Sequence, residues 1–539
     1  MKHTKKLLAT MLMLSLLLAV FASCGAPSNV SSDIVNIGVT DTLPSVNPLL
    51  LDASEIAKTV SDLQFLPLCE LNDKMEFVGM LADSITTEDH INFTVHINEN
   101  AVWSDGTPVT SRDLLFSVLR YASPVIGNTS MLLYAFEGFD ENTGFVTEGA
   151  TVEDLTGVVA LDDKTVRFTA RSEMPLASFQ NTYGRYIHVI PAHVLEDVPE
   201  AELAGYAWFD APTVVCGPYR IVDYDRDHYI SFVANERYYL GAPRIPKLNI
   251  KIVEASQQYA GLRSGEIDFV QQTMGNIPNE DYVGVEALEG VRVRYGAPVT
   301  NQSVFIQTAN LPDVRVRQAI LCGIDRTALL DGLLYGSGEI VDGFLSSVSP
   351  YYSDALVPVT RDVARAKALI AEAVADGFDA DEPIDFYVNS GDAVFVNGAS
   401  LIVSQLAEIG LTVELHTVDF STLMATAGTM DYDLLAVQYT YSPVDPYPDV
   451  AWLLSGEGSW TSYADDELNA ALAHSLTSDD ASIIREDYLT INTIVQRDVP
   501  MFSAYIIKAM GAVSTRLKNA EPCVYGSFIN VHEWEIVTE

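Results

Sequence analysis

Helix and strand patterns alternate in the second half of the chain, and this alternation constrains the fold more than any other feature. A helical segment rich in Ala, Lys and Glu runs from about 362 to 377. Ile402, Leu406 and Ile409 mark one face of a second helix at 399–409, which Gly410 ends. A half-buried strand follows at 411–415. Segments that alternate in this way predict an α/β domain.

The first half of the chain contains more strands and fewer helices, which is typical of an α+β arrangement. Residues 91–97 and 166–170 alternate apolar and polar side chains, as half-buried strands do. Between them, Asp105-Gly106 predicts a turn. Thr110 and Asp113 are spaced as a capping box, which predicts that a helix begins there.

The N-terminus has the features of an export signal. Lys2, Lys5 and Lys6 precede an apolar run near 7–21, which is shorter than the roughly 20 residues of a membrane-spanning helix. Small residues then precede Cys24, as in the lipobox of bacterial lipoproteins. We therefore expect a signal peptide at 1–23, lipid on Cys24 and a flexible tether at 24–33. The alternative is an ordinary secretory signal with an unmodified cysteine.

Composition and charge exclude several classes of protein. The 539 residues are 48% hydrophobic and 19% charged, which predicts folded domains, and no second long apolar run follows the signal. A formal charge of −42 disfavours nucleic acid as a partner. The remaining cysteines form no CxxC pair and predict no zinc cluster: Cys69, Cys216, Cys322 and Cys523. We expect these four cysteines to be buried free thiols. One disulfide among them is the alternative.

No catalytic frame is recognisable. The chain has no GxSxG elbow, HExxH motif or P-loop. His188 and His193 are five residues apart with Pro191 between them, which fits one helical face poorly. We therefore predict no enzyme, no catalytic residue, no metal site and no cofactor, although a secreted hydrolase remains an alternative.

One segment resembles a family signature. Residues 93–117 read FTVHINENAVWSDGTPVTSRDLLFS. This is similar to the "W-S-D-G-x-P-V-T-A-x-D-V-x-F-S" stretch of the peptide/dipeptide/nickel-binding family of solute-binding proteins of ABC importers. Further stretches resemble that family in the same order along the chain: 45–48, 81–84, 190–193, 217–219, 264–268 and 313–326.

The resemblance implies a particular architecture. We expect an α/β, two-lobed fold like that of periplasmic binding proteins, with two hinge strands and an extra subdomain. Lobe I is expected at 34–75, 190–285 and 500–539, its extra subdomain at 76–189 and lobe II at 286–499. The resemblance also implies an exported monomer that works with an ABC permease. Lipid on Cys24 would hold it at the outer face of the cell membrane, or on the periplasmic side where an outer membrane is present.

A loop in the predicted lobe II is the candidate ligand site. A short apolar strand at 433–437 precedes it, and ligands of α/β proteins lie beyond the carboxyl ends of strands. The alternative is a turn with core tyrosines. With the resemblance, we expect ligand contacts from Tyr439, Thr440, Tyr441, Ser442 and Asp445, and from Ser54 in the opposing loop 52–54.

The resemblance leaves the substrate open. Peptide-binding members of the family place an Asp where Ser442 stands, so that it can pair with the ammonium group of the peptide. The run Ser-Pro-Val-Asp-Pro instead looks closer to the loop of nickel-chelate binders. The first expectation is capture of an oligopeptide or dipeptide. The alternative is a nickel or other metal chelate, or another small solute.

Overall fold

The computed structural model describes residues 33–537, apart from positions 44, 52, 53, 129 and 457. The predicted signal peptide, Cys24 and the tether up to residue 32 therefore lie outside the described residues, as do Asp52 and Ala53 of the predicted opposing loop. Within the described part of the chain, no helix combines the length and the hydropathy that a bilayer span requires.

The strands are, in chain order, β1 (Ile34–Val39), β2 (Cys69–Leu71), β3 (Phe77–Gly79), β4 (Ala82–Thr86), β5 (Asn92–Ile97), β6 (Val158–Ala160), β7 (Thr165–Thr169), β8 (Tyr219–Asp225), β9 (Tyr229–Ala234), β10 (Lys247–Ile252), β11 (Phe269–Val270), β12 (Val291–Tyr295), β13 (Thr300–Ile306), β14 (Gly338–Glu339), β15 (Ile384–Asn389), β16 (Val413–Val418), β17 (Leu434–Thr440), β18 (Met501–Ile507), β19 (Met510–Ser514), β20 (Leu517–Lys518) and β21 (Glu535–Ile536).

The α-helices are, in chain order, α1 (Glu55–Gln64), α2 (Ser111–Tyr121), α3 (Leu176–Phe179), α4 (Ala192–Leu195), α5 (Glu200–Leu203), α6 (Ala255–Ser264), α7 (Gln272–Gly275), α8 (Tyr282–Glu286), α9 (Val314–Gly323), α10 (Arg326–Leu334), α11 (Val363–Ala375), α12 (Ala393–Glu408), α13 (Phe420–Thr429), α14 (Tyr447–Leu454), α15 (Asp466–His474) and α16 (Ala481–Asp498). A π-helical turn at Gln180–Gly184 continues α3.

The first large sheet has the strand order β12-β19-β11-β1-β10-β9-β8. Its central strand β1 is parallel to both neighbours, β10 and β11. Val35, Ile37 and Val39 alternate along β1 and are fully buried, as the period of a strand requires. They pack with residues of β9, β10 and the C-terminal segment, which includes the buried Trp534.

The second large sheet has the order β14-β18-β13-β17-β15-β16. β15 is parallel to β16 and to β17, whereas β13 runs antiparallel to β17 and β18. Ile384, Phe386 and Val388 of β15 face a core that α9, α11 and α12 cover. The opposite face of the sheet packs against α14 and α16.

A smaller antiparallel sheet, β4-β5-β7-β6, carries its own aromatic core. The rings of Phe93 and Phe179 stack at 4.5 Å between centroids, and Phe136 packs edge-on against Phe168 and Tyr183. This core lies under α2, which begins at the predicted capping box: both Thr110 and Asp113 make the reciprocal hydrogen bonds.

The chain passes between the two large sheets twice. β12 belongs to the first sheet and β13 to the second, so one crossing lies at 296–299. β18 belongs to the second sheet and β19 to the first, so the other lies at 508–509. The predicted lobe boundaries at 286 and 500 lie one strand away from these crossings. We propose 296–299 and 508–509 as the boundaries instead.

The helices predicted at about 362–377 and 399–409 are present as α11 and α12. Asp313, Asp325 and Asp362 cap α9, α10 and α11 through their side chains. The helix predicted at 399–409 begins earlier, because the side chain of Asp392 accepts the Phe395 backbone N–H at 2.9 Å. The four described cysteines are buried free thiols.

Candidate ligand-binding site

The segment 441–446 connects β17 to α14, and Asp449 holds its beginning. The Tyr439 hydroxyl donates to Oδ1 of Asp449 at 2.8 Å, and the Ser442 backbone N–H donates to Oδ2 at 3.1 Å. Burial raises the pKa of Asp449, although these two donors oppose the shift. Burial and the Asp449 carboxylate together raise the pKa of Tyr439. The aromatic start of the segment is therefore fixed in position.

The same segment meets the other half of the molecule. Ser178 Oγ donates to Asp445 Oδ1 at 2.7 Å, and Asn181 Nδ2 donates to Ser442 Oγ at 3.3 Å. Val444 packs in a small apolar cluster with Leu71 and Met75. The predicted ligand loop thus lies where lobe II, which contains the second large sheet, contacts lobe I and the smaller sheet.

Asp445 is a buried carboxylate without a cationic partner. Its exposed fraction is 6%, and none of the Lys, Arg or His residues that the structure describes forms an ion pair with it. Burial raises its pKa to about 6, although the hydrogen bond from Ser178 opposes the shift. The backbone N–H of Asp445 donates to Ser442 Oγ at 3.1 Å. Asp445 therefore supports the turn through its backbone N–H, whereas its carboxylate has no cationic partner among the described residues.

The other predicted site residues take part mainly in strand pairing, core packing or helix capping. Tyr439 and Thr440 lie in β17 and not in the loop, because β17 pairs with β13 as far as Thr300. The Thr440 hydroxyl is exposed, at 3.2 Å from that of Thr300. Tyr441 is buried in the core beside Phe344. Ser54 caps α1 by accepting the Ala57 backbone N–H at 3.3 Å.

A network of buried charged side chains in the first lobe is linked to the loop through Asn181. Arg185 donates to Asn181 Oδ1 at 3.2 Å and to Glu70 Oε1 at 2.5 Å, and Asn181 in turn reaches Ser442. Lys58 also bonds Glu70, and it pairs with Asp62 at 2.8 Å. No sequence motif indicates these charges, since the Arg185–Glu70 pair joins positions 115 residues apart.

The candidate histidines do not meet. His188 is buried and pairs with Asp62 at 2.7 Å, whereas His193 pairs with Asp105 at 2.9 Å near the surface. Each imidazole thus has its own carboxylate partner, in separate places.

A second concave region lies at the carboxyl ends of the parallel strands β15 and β17. It has a volume of about 360 Å³, and its walls include Gln302, Asn389, Asp392, Phe420 and Gln438. α12, which follows β15, packs on one face of the sheet, and α14, which follows β17, packs on the other. Strand order and helix side therefore reverse here, which is where ligands of open α/β sheets bind.

A two-lobed α/β binding protein is the class that this fold and cleft define. The profile of bacterial extracellular solute-binding proteins, family 5, matches residues 76–461. The chain belongs to this family, which confirms the family predicted from the sequence.

Two relatives illustrate the similarity. A Brucella ovis protein named as a peptide-binding protein of an ABC transporter is 28% identical over 368 residues, which are 66% of this chain and 64% of that protein. The chain thus aligns with about two thirds of the length of this relative. The oligopeptide-binding protein AppA of Bacillus subtilis is 24% identical over 421 residues, covering 75% and 73% of the two chains.

Solved structures share the fold. The substrate-binding protein CtaP of Listeria monocytogenes superposes with a TM-score of 0.77 at 22% identity, covering 94% of this chain and 99% of that one. AppA in complex with a nonapeptide gives 0.69 at 20% identity, again over 94% and 99%. NikZ of Campylobacter jejuni in complex with Ni(L-His) gives 0.70 at 19% identity, over 94% and 100%. The predicted two-lobed fold is confirmed.

Proposed function

We propose that this protein is the solute-binding component of an ABC importer, and that it captures a peptide between its lobes and delivers it to a membrane permease. The observation that carries the proposal is Asp445, a buried carboxylate in a loop that touches both lobes. A buried charge is costly unless it is paired. The ammonium group of a peptide would supply the missing partner.

The site residues of this proposal lie at the end of β17 and in the segment 441–446, together with Ser54. Tyr439 offers an aromatic face that is partly exposed, and Ser442 offers a hydroxyl that Asn181 already contacts. Thr440 offers a second, exposed hydroxyl. Tyr441 contributes by fixing the loop from the core, and Ser54 by capping α1. The relatives named for peptide binding support the substrate class.

A nickel or other metal chelate, or another small solute, is the alternative ligand. One sequence observation favours it: Ser442 stands where peptide-binding members of the family carry an Asp. A chelate without an ammonium group would not need that second carboxylate. NikZ has the same fold and binds Ni(L-His), which keeps this alternative in the same architecture.

The remaining parts of the proposal concern place and assembly. The family is extracellular by description, so we propose an exported monomer held to the membrane by lipid on Cys24. Lipid-modified Cys24 and the tether would leave the lobes free to reach the permease. We propose a binding role without catalysis, in keeping with the family.

Calorimetric titration of a peptide mixture into wild type, Asp445→Asn and Tyr439→Ala tests the proposal. Loss of affinity in both variants supports a cationic ligand such as a peptide amine. Loss only in Tyr439→Ala supports a ligand held by stacking and shape, as expected of the alternative. No loss in either variant, with unfolding midpoints unchanged, removes this loop from the ligand site.

A further inference from the structure

The concave region at the ends of β15 and β17, which we call the switch-point pocket, has both polar and apolar walls. Its polar lining comes from Gln302 on β13, Gln438 on β17, and Asn389 and Asp392 at the end of β15. Phe395, Leu423 and Phe420 form apolar walls. Phe420 is 56% exposed, which is high for a large aromatic side chain. A ligand with an apolar stem would cover that ring.

One buried acceptor at the wall of this pocket lacks a donor. Gln302 is 1% exposed, and its Oε1 has no hydrogen-bond partner among the described residues. Buried polar atoms are nearly always paired, so an unpaired acceptor at a pocket wall indicates an absent donor. The facing Gln438 donates one N–H of its Nε2 to Asp392 Oδ2 at 2.9 Å, and it makes no hydrogen bond to Gln302 Oε1.

Asp392 gives the pocket a fixed negative charge. Its Oδ1 accepts the Phe395 backbone N–H as the cap of α12, and its Oδ2 is oriented by Gln438. No Lys, Arg or His lines the pocket, and no ion pair to Asp392 occurs in the described part of the chain. Carboxylate oxygens can each accept further hydrogen bonds, so Asp392 keeps free capacity toward the cavity.

We propose that the switch-point pocket selects ligands with a cationic donor group, a primary ammonium or guanidinium, carried on an apolar stem. This inference rests on the proposed function and names the chemistry of the ligand more closely. The cation would bond Asp392 and the Gln302 amide oxygen, and its stem would lie against Phe420. A cation over an aromatic face adds attraction of its own. The ligand would thus present a basic side chain here, apart from any group that meets Asp445.

The test compares tripeptides that differ at one position. Ala-Lys-Ala, Ala-Arg-Ala and Ala-norleucine-Ala are titrated by calorimetry into wild type and Asp392→Asn. Asn caps helices about as well as Asp, so α12 should survive the change. The matched control is Asp419→Asn, which caps α13 through Thr422 in the same way and does not line the pocket. Agmatine, a small guanidinium amine, serves as a probe without a peptide backbone.

The expected result is that the basic tripeptides bind wild type about tenfold or more tightly than the norleucine tripeptide, as charge-assisted hydrogen bonds allow. Asp392→Asn should abolish that difference, and Asp419→Asn should keep it. Gln302→Met, which keeps side-chain length, should reduce the preference several-fold.

Other outcomes separate this inference from the proposed function. Equal binding of all three tripeptides, or a preference unchanged in Asp392→Asn, overturns the pocket inference and leaves peptide capture standing. Binding of agmatine that depends on Asp392, without binding of any tripeptide, supports the pocket inference and contradicts peptide capture. Binding of none of the probes overturns both.

Discussion

The hydroxyl of Ser178 donates a 2.7 Å hydrogen bond to Oδ1 of Asp445, which lies 267 positions further along the chain. The first residue belongs to α3, beside the smaller sheet, and the second to the loop after β17. This bond joins two parts of the molecule that the chain connects only through the crossings between the large sheets. It also places the buried carboxylate at the boundary that a captured ligand would occupy in our proposal.

Asp445 should make stability depend on pH in a specific direction. Burial raises its pKa from 3.8 to about 6, so the folded protein holds this proton more tightly than the unfolded chain. The stabilisation is complete below about pH 4 and is lost as the pH rises through 6. From pH 4 to 7.5, we expect Asp445→Asn to gain up to about 3 kcal/mol in unfolding free energy relative to wild type. Urea unfolding at both pH values measures this.

Asp419→Asn is a control for which the pH dependence of stability should have the opposite direction. Hydrogen bonds from Ser421 and Thr422 lower the pKa of Asp419, so its stabilisation is present at neutral pH and is lost in acid. If Asp445→Asn shows no pH-dependent difference from wild type, or follows the direction of Asp419→Asn, the pKa of Asp445 is not raised by burial as described above.

Removal of the Ser178 hydroxyl should destabilise the protein through Asp445. Ser178→Ala leaves the buried carboxylate without that donor, and hydrogen bonds to charged groups contribute about 1.5–3 kcal/mol. Ser482→Ala is a matched control, because Ser482 also donates to an aspartate, Asp480, but at an exposed helix start. Urea unfolding should separate the two variants. If the two variants lose equal unfolding free energy, the buried Ser178–Asp445 hydrogen bond stabilises the protein no more than an exposed one.

Arg185 should be among the residues on which stability depends most. Its side chain and that of Glu70 are 6% and 8% exposed, and they pair at 2.5 Å. Loss of one partner of a buried ion pair costs about 3–5 kcal/mol. We expect Arg185→Ala to lose that much in chemical unfolding. Arg112→Ala, which breaks an exposed pair with Glu196, should lose at most about 1 kcal/mol.

A comparable loss in both arginine variants would contradict this reading of the charge network. The network also reaches Ser442 through Asn181, so Arg185→Lys is informative as a second variant. Lysine retains the charge but not the geometry that bonds Asn181 and Glu70 together.

Cys24 should carry lipid. In Cys24→Ala the protein should appear in the medium or the soluble fraction, since the acyl chains that anchor it would be absent. Ser28→Ala, in the same tether, should remain with the membranes. Fractionation and mass spectrometry of the N-terminal peptide measure both. A Cys24→Ala protein that stays membrane-bound, with no acyl mass on the wild type, would contradict the anchor.

Sequence patterns predicted the parts of the fold that depend on neighbours in the chain. Thr110 with Asp113 was recognisable as a helix start because a capping box joins residues only three positions apart. The family signature at 93–117 then predicted the two-lobed architecture.

Contacts between distant segments could not be predicted in the same way. Tyr439 was expected in a loop, but it lies in β17 because Asn301 of β13 pairs with it. The hydrogen-bond donor to Asp445 is Ser178, which lies in α3 beside the smaller sheet. No spacing in the sequence indicates that these two residues meet. The residues of the switch-point pocket come from three strands and two helices, whose meeting point depends on the order of strands in the sheet.

Native mass spectrometry of the protein isolated without denaturation tests the central claim most directly. Ligand bound between the lobes should co-purify with the folded protein, because a tightly bound ligand dissociates slowly. We predict a series of added masses that fragment as peptides and disappear on unfolding. The bare protein mass alone, unchanged after incubation with a peptide mixture, would contradict the account.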